Sequence, residues 1–161
     1  MASSIELTGP VIHIVTAIGL GLLFRLNILV ITLCAIFPDL IDKPLSAFGV
    51  GGGRYVGHSL LFAVVIITGL FFWKRKFGFA ALLGFGSHLL LDLNTTVPWL
   101  FPFVEYEISD RKFDFLLWMK KYTSLSELDY ELLISVPVVI IALIGRFLIQ
   151  RYMRQRNSKI E

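Results

Sequence analysis

Polar and apolar positions in this chain are sorted into long blocks, with no short strand-like alternation. Pro10 to Phe37 is uncharged apart from a polar break at Arg25-Leu26-Asn27. Gly57 to Trp73 is uncharged and meets Lys74-Arg75-Lys76; Phe77 to Leu93 and Leu132 to Ile149 follow, each nearly uncharged. Continuous apolar blocks of this kind predict helices that are greasy all round. A helix needs about 20 apolar residues to cross the roughly 30 Å hydrocarbon core of a bilayer. Blocks 57–73, 77–93 and 132–149 are therefore expected to span with help from their flanks. The first block is expected to form a short hairpin, 10–24 and 28–37, turning at the polar break, with that turn protected or at an interface. The expected fold is all-α: a polytopic transmembrane helix bundle with about three full spans, the hairpin and an interfacial segment.

Composition agrees with that pattern. Hydrophobic residues make up 56% and charged residues 17% of 161 residues, and the mean hydropathy is +0.76. A water-soluble domain this small keeps too much surface exposed to hide so much apolar area. One membrane domain is expected, with no nucleic-acid partner. Only Glu6 is charged ahead of the first apolar run, so the basic start of a secretory signal is missing. Cys34 is the single cysteine, which excludes an intrachain disulfide and a cysteine-based zinc site. The segment 94–131 holds VPWLFPF (97–103) and RKFDFLLWMKKY (111–122). Its mixture of aromatic and basic residues suits the headgroup level. Ser124 and Glu127 have the spacing of a capping box before the last helix.

Charge distribution orients the bundle. Arg25, Lys74, Arg75, Lys76, Arg146, Arg151, Arg154, Arg156 and Lys159 fall on one side if the helices alternate. That side is expected to be cytoplasmic, with 150–161 as a basic cytoplasmic tail and 38–56 and 94–131 outside. The consequence is chemical. His13 starts the first helix, Asp39 and Asp42 follow the second, His58 opens the third, and His88 and Asp92 close the fourth. All three histidines of the chain then share one level with three aspartates.

His88 and Asp92 in GSHLLLD (86–92) are four residues apart and point from one helix face. Gly84, one turn earlier, leaves room for a neighbouring helix, and Ala17 and Gly21 continue the face of His13. Asp39 and Asp42, at i and i+3, converge if the segment after Pro38 is helical. An ionisable group inside a membrane segment is costly, roughly 2.5–3.5 kcal/mol at the centre and less towards the ends, and a divalent cation would offset that. Imidazole and carboxylate suit zinc, and carboxylate-rich sites also suit manganese or magnesium. A metal that retains a water lowers its pKa to about 7.

Each residue also has an ordinary role. Any one histidine alone is more often a hydrogen-bonded structural residue, Asp39 after Pro38 suits a helix cap, and Asp42 beside Lys43-Pro44 suits a solvated turn. Ser59 suits an inter-helix hydrogen bond better than a nucleophile, since no hydrolase elbow surrounds it. Arg54, in GGGRYVGHS, either reaches towards headgroups or pairs with a phosphate. The glycines before it lack the Lys and Ser/Thr of a phosphate loop. It is the convergence of three histidines and two or more acids at one level that favours a metal site.

FPDLIDKPL (37–45), GRYVGHSLLF (53–62) and GFGSHLLLDL (84–93), after the helical His13, resemble the YdjM-like family of membrane-bound metal-dependent hydrolases. That family shows an N-terminal His helix, Pro-Asp, Arg-x-x-x-His-Ser and Ser-His-Leu-x-x-Asp in this order. The resemblance covers roughly residues 10–103. Here the second acid comes one residue later than in the common Pro-Asp-x-Asp pattern, as Asp42, and Gly57 stands where Thr is frequent. The family is similar in its His/Asp usage to zinc-dependent phospholipase C, which implies phosphoester chemistry.

The expected ligands of one or two divalent ions are thus His13, Asp39, His58, His88 and Asp92, zinc being favoured over manganese or magnesium. Arg54 and Asp39 are the expected catalytic residues, and Asp42, Ser59 and Ser87 are supporting residues or further ligands. The expected function is hydrolysis of a lipid or lipid-linked phosphoester at the outer face of the cell membrane. A non-catalytic regulator or scaffold with a structural His/Asp metal clip is the alternative. A proton relay ranks last, because a relay wants ionisable groups through the whole bilayer.

Overall fold

A computed structural model describes residues 10–93, 97–106, 114, 116–117, 120 and 125–157. Five long helices carry the fold: α1 (Pro10–Phe24), α2 (Ile28–Ala47), α3 (Leu60–Trp73), α4 (Arg75–Leu91) and α5 (Leu125–Asn157). Among the described residues there is no strand. Of the aromatic-basic segment 111–122 only residues 114, 116–117 and 120 are among those described, and Ser124 of the capping pair lies outside them.

Helix α1 begins at Pro10, which suits a first turn because its missing N–H would be unbonded there anyway. The hairpin turns at the polar break. Arg25 takes a positive φ of 54°, and the Asn27 side chain accepts a hydrogen bond from the Val30 N–H at 3.0 Å, capping α2. Pattern reading ends the second helix at Phe37; the structure carries it on to Ala47 through Pro38 and Pro44. A proline removes one ladder bond and discourages helix just before it. The turns beyond Pro38 are held instead by tertiary bonds to Asp42, described below. Ser59 caps α3 by accepting from the Phe62 N–H at 3.2 Å, and the single residue Lys74 joins α3 to α4. The last helix is longer than the apolar block within it, 125–157 against 132–149.

Helix α4 packs on α2, α3 and α1, and α5 packs on α1. Phe85, Ala81, Ala63 and Leu89 with Cys34 form the apolar centre beneath the polar residues. At Gly84 a Cβ would lie 2.5 Å from the Ile31 carbonyl oxygen and 2.9 Å from Cys34 Cβ, so only glycine lets α2 and α4 come this close. Outward, α3 and α5 present large apolar side chains, Phe72 at 88% and Ile141 at 68% exposure among them. Such a surface suits lipid contact. One helix among the described residues, α5, is long and apolar enough to cross a bilayer, over Val136–Met153, while α1 and α3 are apolar but shorter.

Candidate metal centre

The antiparallel course of α1 to α4 brings one end of each helix to a single place. His13 comes from the start of α1, Asp39 and Asp42 from the last part of α2, His58 from just before α3, and His88 and Asp92 from the end of α4. His58, His88 and Asp42 are fully buried, and His13 and Asp92 are nearly so. Burial without partners would be very unfavourable for such groups, so their partners define the site.

Asp42 is the anchor. Its carboxylate accepts backbone N–H bonds from Tyr55 (2.6 Å), Gly57 (2.8 Å) and His58 (3.1 Å), and it lies 2.7 Å from His58 Nδ1. Gly57 permits this: a Cβ there would sit 2.7 Å from the Pro38 carbonyl oxygen and 3.2 Å from the Asp42 carboxyl carbon. His88 is fixed in the same manner, its Nδ1 2.6 Å from the Ala35 carbonyl oxygen. A carbonyl oxygen only accepts, so His88 Nδ1 carries the proton, and the Asp42 carboxylate assigns the proton of His58 to Nδ1 likewise.

The remaining nitrogens then face each other. His58 Nε2 and His88 Nε2 are 3.1 Å apart, and in these neutral tautomers each presents a lone pair. Two acceptors at that distance need a cation or an added proton between them. Carboxylates flank the pair: Asp92 Oδ2 is 3.4 Å from His58 Nε2 and 3.8 Å from His88 Nε2, and Asp39 Oδ1 is 3.7 Å from His58 Nε2. Tetrahedral donors with bonds of 2.0–2.1 Å lie roughly 3.3 Å apart. The observed separations bracket that edge, so the donor set fits a small divalent ion.

His13 extends the cluster. Its ring stacks on His88 with centroids 4.1 Å apart, and its Nε2 is 3.6 Å from Asp92 Oδ1. His13 Nδ1 is buried with no hydrogen-bond partner. His13, His88 and Asp92 form one metal-sized group of donors, and Asp39, His58 and His88 form another sharing His88. Arg54 donates from Nε to Asp92 Oδ2 at 3.0 Å, at the rim of the cluster. Lys43 pairs with Asp39 one helical turn away.

The structure thus gathers His13, Asp39, His58, His88 and Asp92, with Arg54 beside them and Asp42 behind His58. The two serines stay outside. Ser59 Oγ donates to the Val56 carbonyl while capping α3, and Ser87 Oγ donates to the Gly84 carbonyl. Pattern reading missed Lys43, Ala35 and the backbone donors of Tyr55 and Gly57. The i,i+4 spacing of Asp39 and Lys43 was a usable signal; a main-chain carbonyl such as that of Ala35 leaves none.

The profile of the YdjM inner membrane protein family matches residues 8–156. The chain belongs to that family. The match agrees with the resemblance carried by the Pro-Asp, Arg-x-x-x-His-Ser and Ser-His-Leu-x-x-Asp motifs, and it extends beyond them through α5. Membership of the YdjM family makes this a membrane protein, in keeping with the apolar exteriors of α3 and α5. No curated protein and no solved structure matches the chain.

Proposed function

We propose that this YdjM-family protein is a membrane-embedded, metal-dependent hydrolase of lipid or lipid-linked phosphoesters. The observation that supports the metal is the convergence of His58 Nε2 and His88 Nε2, 3.1 Å apart, with carboxylate oxygens of Asp39 and Asp92 within 3.8 Å of them. His13, Asp39, His58, His88 and Asp92 would hold one or two ions, with zinc the first choice for imidazole and carboxylate donors. When bound, such an ion acidifies water and draws charge from a phosphoryl oxygen.

The chain's own residues prepare the site. Asp42 and the Ala35 carbonyl hold both imidazoles in one tautomer and one orientation, the usual role of partners behind metal-binding histidines. Asp39 and Arg54 are the site residues nearest solvent, at 18% and 22% side-chain exposure. In this reading Asp39 would accept a proton from water arriving at that edge, and the Arg54 guanidinium would bind phosphoryl oxygens. Basic residues at the far end of the bundle support a topology with this centre on the extracytoplasmic side and the C-terminus in the cytoplasm. In that topology α3 and α4 complete the crossing with α5, giving about three spans.

A structural metal clip in a non-catalytic regulator is the second reading, favoured by the complete burial of His58 and His88. Two measurements separate these readings. Purified protein is expected to retain a stoichiometric divalent metal and to lose it in His88→Ala; no metal in wild type sinks both. Turnover of a lipid phosphoester by wild type, lost in Arg54→Ala with metal retained, supports the enzyme. Retained metal with no turnover across phosphomonoester, phosphodiester and diphosphate lipids leaves the clip.

A further inference from the structure

At the opposite end of α1 the chemistry is the reverse. A cavity of ≈ 520 Å³ opens between the α1–α2 turn and α5, lined by Leu22, Arg25, Leu26, Ile28, Arg146 and Gln150. Gly145 of α5 lies against Leu23 of α1, which sets Arg146 beside the turn that carries Arg25. Among the described residues no carboxylate lines this cavity. Asp39, Asp42 and Asp92 are all at the other end of the bundle, engaged in the metal centre. Among the described residues two guanidiniums therefore line one cavity with no acidic partner in it, an arrangement whose like charges favour a bound anion.

The backbone adds an independent observation. Arg25 sits at φ 54°, a conformation that glycine takes freely and a bulky residue adopts at a cost of order 1 kcal/mol. Strain of this kind persists where surrounding demands hold the residue in place. Here the turn aims a guanidinium at the mouth of the cavity when glycine would close the same turn more easily.

Depth and surroundings select the kind of anion. Helix α1 has 15 residues and rises about 22 Å, less than the roughly 30 Å core. Arg25 thus lies where a long cationic side chain reaches to a headgroup phosphate. Leu22, Leu26 and Ile28 line the cavity beside the guanidiniums, and Phe24 and Leu29 next to it in sequence are exposed at 56% and 68%, a surface for acyl chains. Lys74 at the α3–α4 junction, with Arg75 and Lys76 in the first turn of α4, shares this end of the bundle by the alternation of the helices. Basic pockets between membrane helices are suited to anionic headgroups.

We propose that the Arg25–Arg146 cavity is a binding site for the phosphate of an anionic phospholipid, in the leaflet opposite the His/Asp centre. Gln150 adds a hydrogen-bond donor to the same phosphate, and Leu22, Leu26 and Ile28 bear on its acyl chains. The site is separate from the metal centre and does not depend on hydrolysis.

The test uses full-length protein in neutral detergent, titrated with phosphatidylglycerol, phosphatidylcholine or inorganic phosphate, and followed by thermal unfolding and native mass spectrometry. Phosphatidylglycerol is expected to raise the melting temperature and to stay bound, with phosphatidylcholine much weaker. Arg25→Gly and Arg146→Gln are each expected to weaken phosphatidylglycerol binding roughly tenfold or more, one charge-assisted contact being removed. Without lipid, Arg25→Gly is expected to melt at or above the wild-type temperature, because the turn is relaxed. Equal affinity for phosphatidylcholine overturns the proposal, as does affinity within twofold of wild type in the double variant. A shift from inorganic phosphate equal to that from phosphatidylglycerol makes this a free-phosphate site and overturns the lipid assignment. Lowered stability of lipid-free Arg25→Gly, with lipid binding intact, makes Arg25 a structural residue and overturns it too.

Discussion

Replacing Gly84 by alanine tests whether the close approach of α2 and α4 builds the site. The new Cβ would lie 2.5 Å from the Ile31 carbonyl oxygen, 2.9 Å from Cys34 Cβ and 3.1 Å from the Ala35 N, where ordinary contact begins at 3.4 Å. The carbonyl belongs to helix backbone and cannot swing aside, so α2 must withdraw by about 0.9 Å. His88 Nδ1 now lies 2.6 Å from the Ala35 carbonyl oxygen. The same displacement carries that bond to about 3.5 Å, past the useful range. Overpacking of this kind costs about 1–3 kcal/mol, and a lost buried hydrogen bond adds roughly 1 kcal/mol. Gly84→Ala is therefore expected to lose about 2–4 kcal/mol in reversible unfolding from detergent micelles. Metal retention should fall with it, because His88 is no longer held in its tautomer. A loss below about 0.5 kcal/mol with full metal content would refute the close-packing argument.

Three further outcomes follow from the same geometry. Asp42→Asn turns one acceptor oxygen into a donor facing a backbone N–H, leaving both donors unpaired, and should cost about 2–6 kcal/mol at roughly 1–3 kcal/mol per unsatisfied buried group; equilibrium unfolding checks it, and an unchanged midpoint would contradict the anchor role. Ser59→Ala removes only a helix cap, so a loss of about 1 kcal/mol with metal content unchanged is expected by elemental analysis. A parallel loss of metal would place Ser59 in the site after all. Stripping the metal with a chelator should lower the unfolding midpoint, and zinc at a hundred times its dissociation constant should restore about 2.7 kcal/mol. A midpoint indifferent to both treatments would exclude a bound structural or catalytic ion.

Much of the candidate site could be read from local rules. His88 and Asp92 are one helical turn apart, and that alone aims them together. His13, His58 and His88 fall at one end because α1 to α4 reverse direction at breaks visible in the chain, Arg25-Leu26-Asn27 and Lys74-Arg75-Lys76. The serines were harder. Ser59 and Ser87 adjoin histidines in sequence, yet a short hydroxyl satisfies itself on nearby backbone, and both do. The span count was not readable from composition alone either. Helices α1 and α3 are apolar but shorter than the apolar stretch of α5, and crossing depends on what their flanks meet.

What the sequence by itself determined is the class and the ingredients: an all-helical membrane chain of the YdjM type, with its histidines and key aspartates assigned to one end. Those properties follow from hydrophobic content and helical periodicity, which are local. The tertiary structure alone decided how the ingredients are used. It carried α2 through Pro38 and set Asp42 on His58 Nδ1. It placed the Ala35 carbonyl on His88 Nδ1 and drew the Nε2 atoms of His58 and His88 to 3.1 Å of each other. Each of these depends on backbones from distant parts of the chain meeting at Gly57 and Gly84, where a single methyl group would hold them apart. That is a property of packing, which no local pattern encodes.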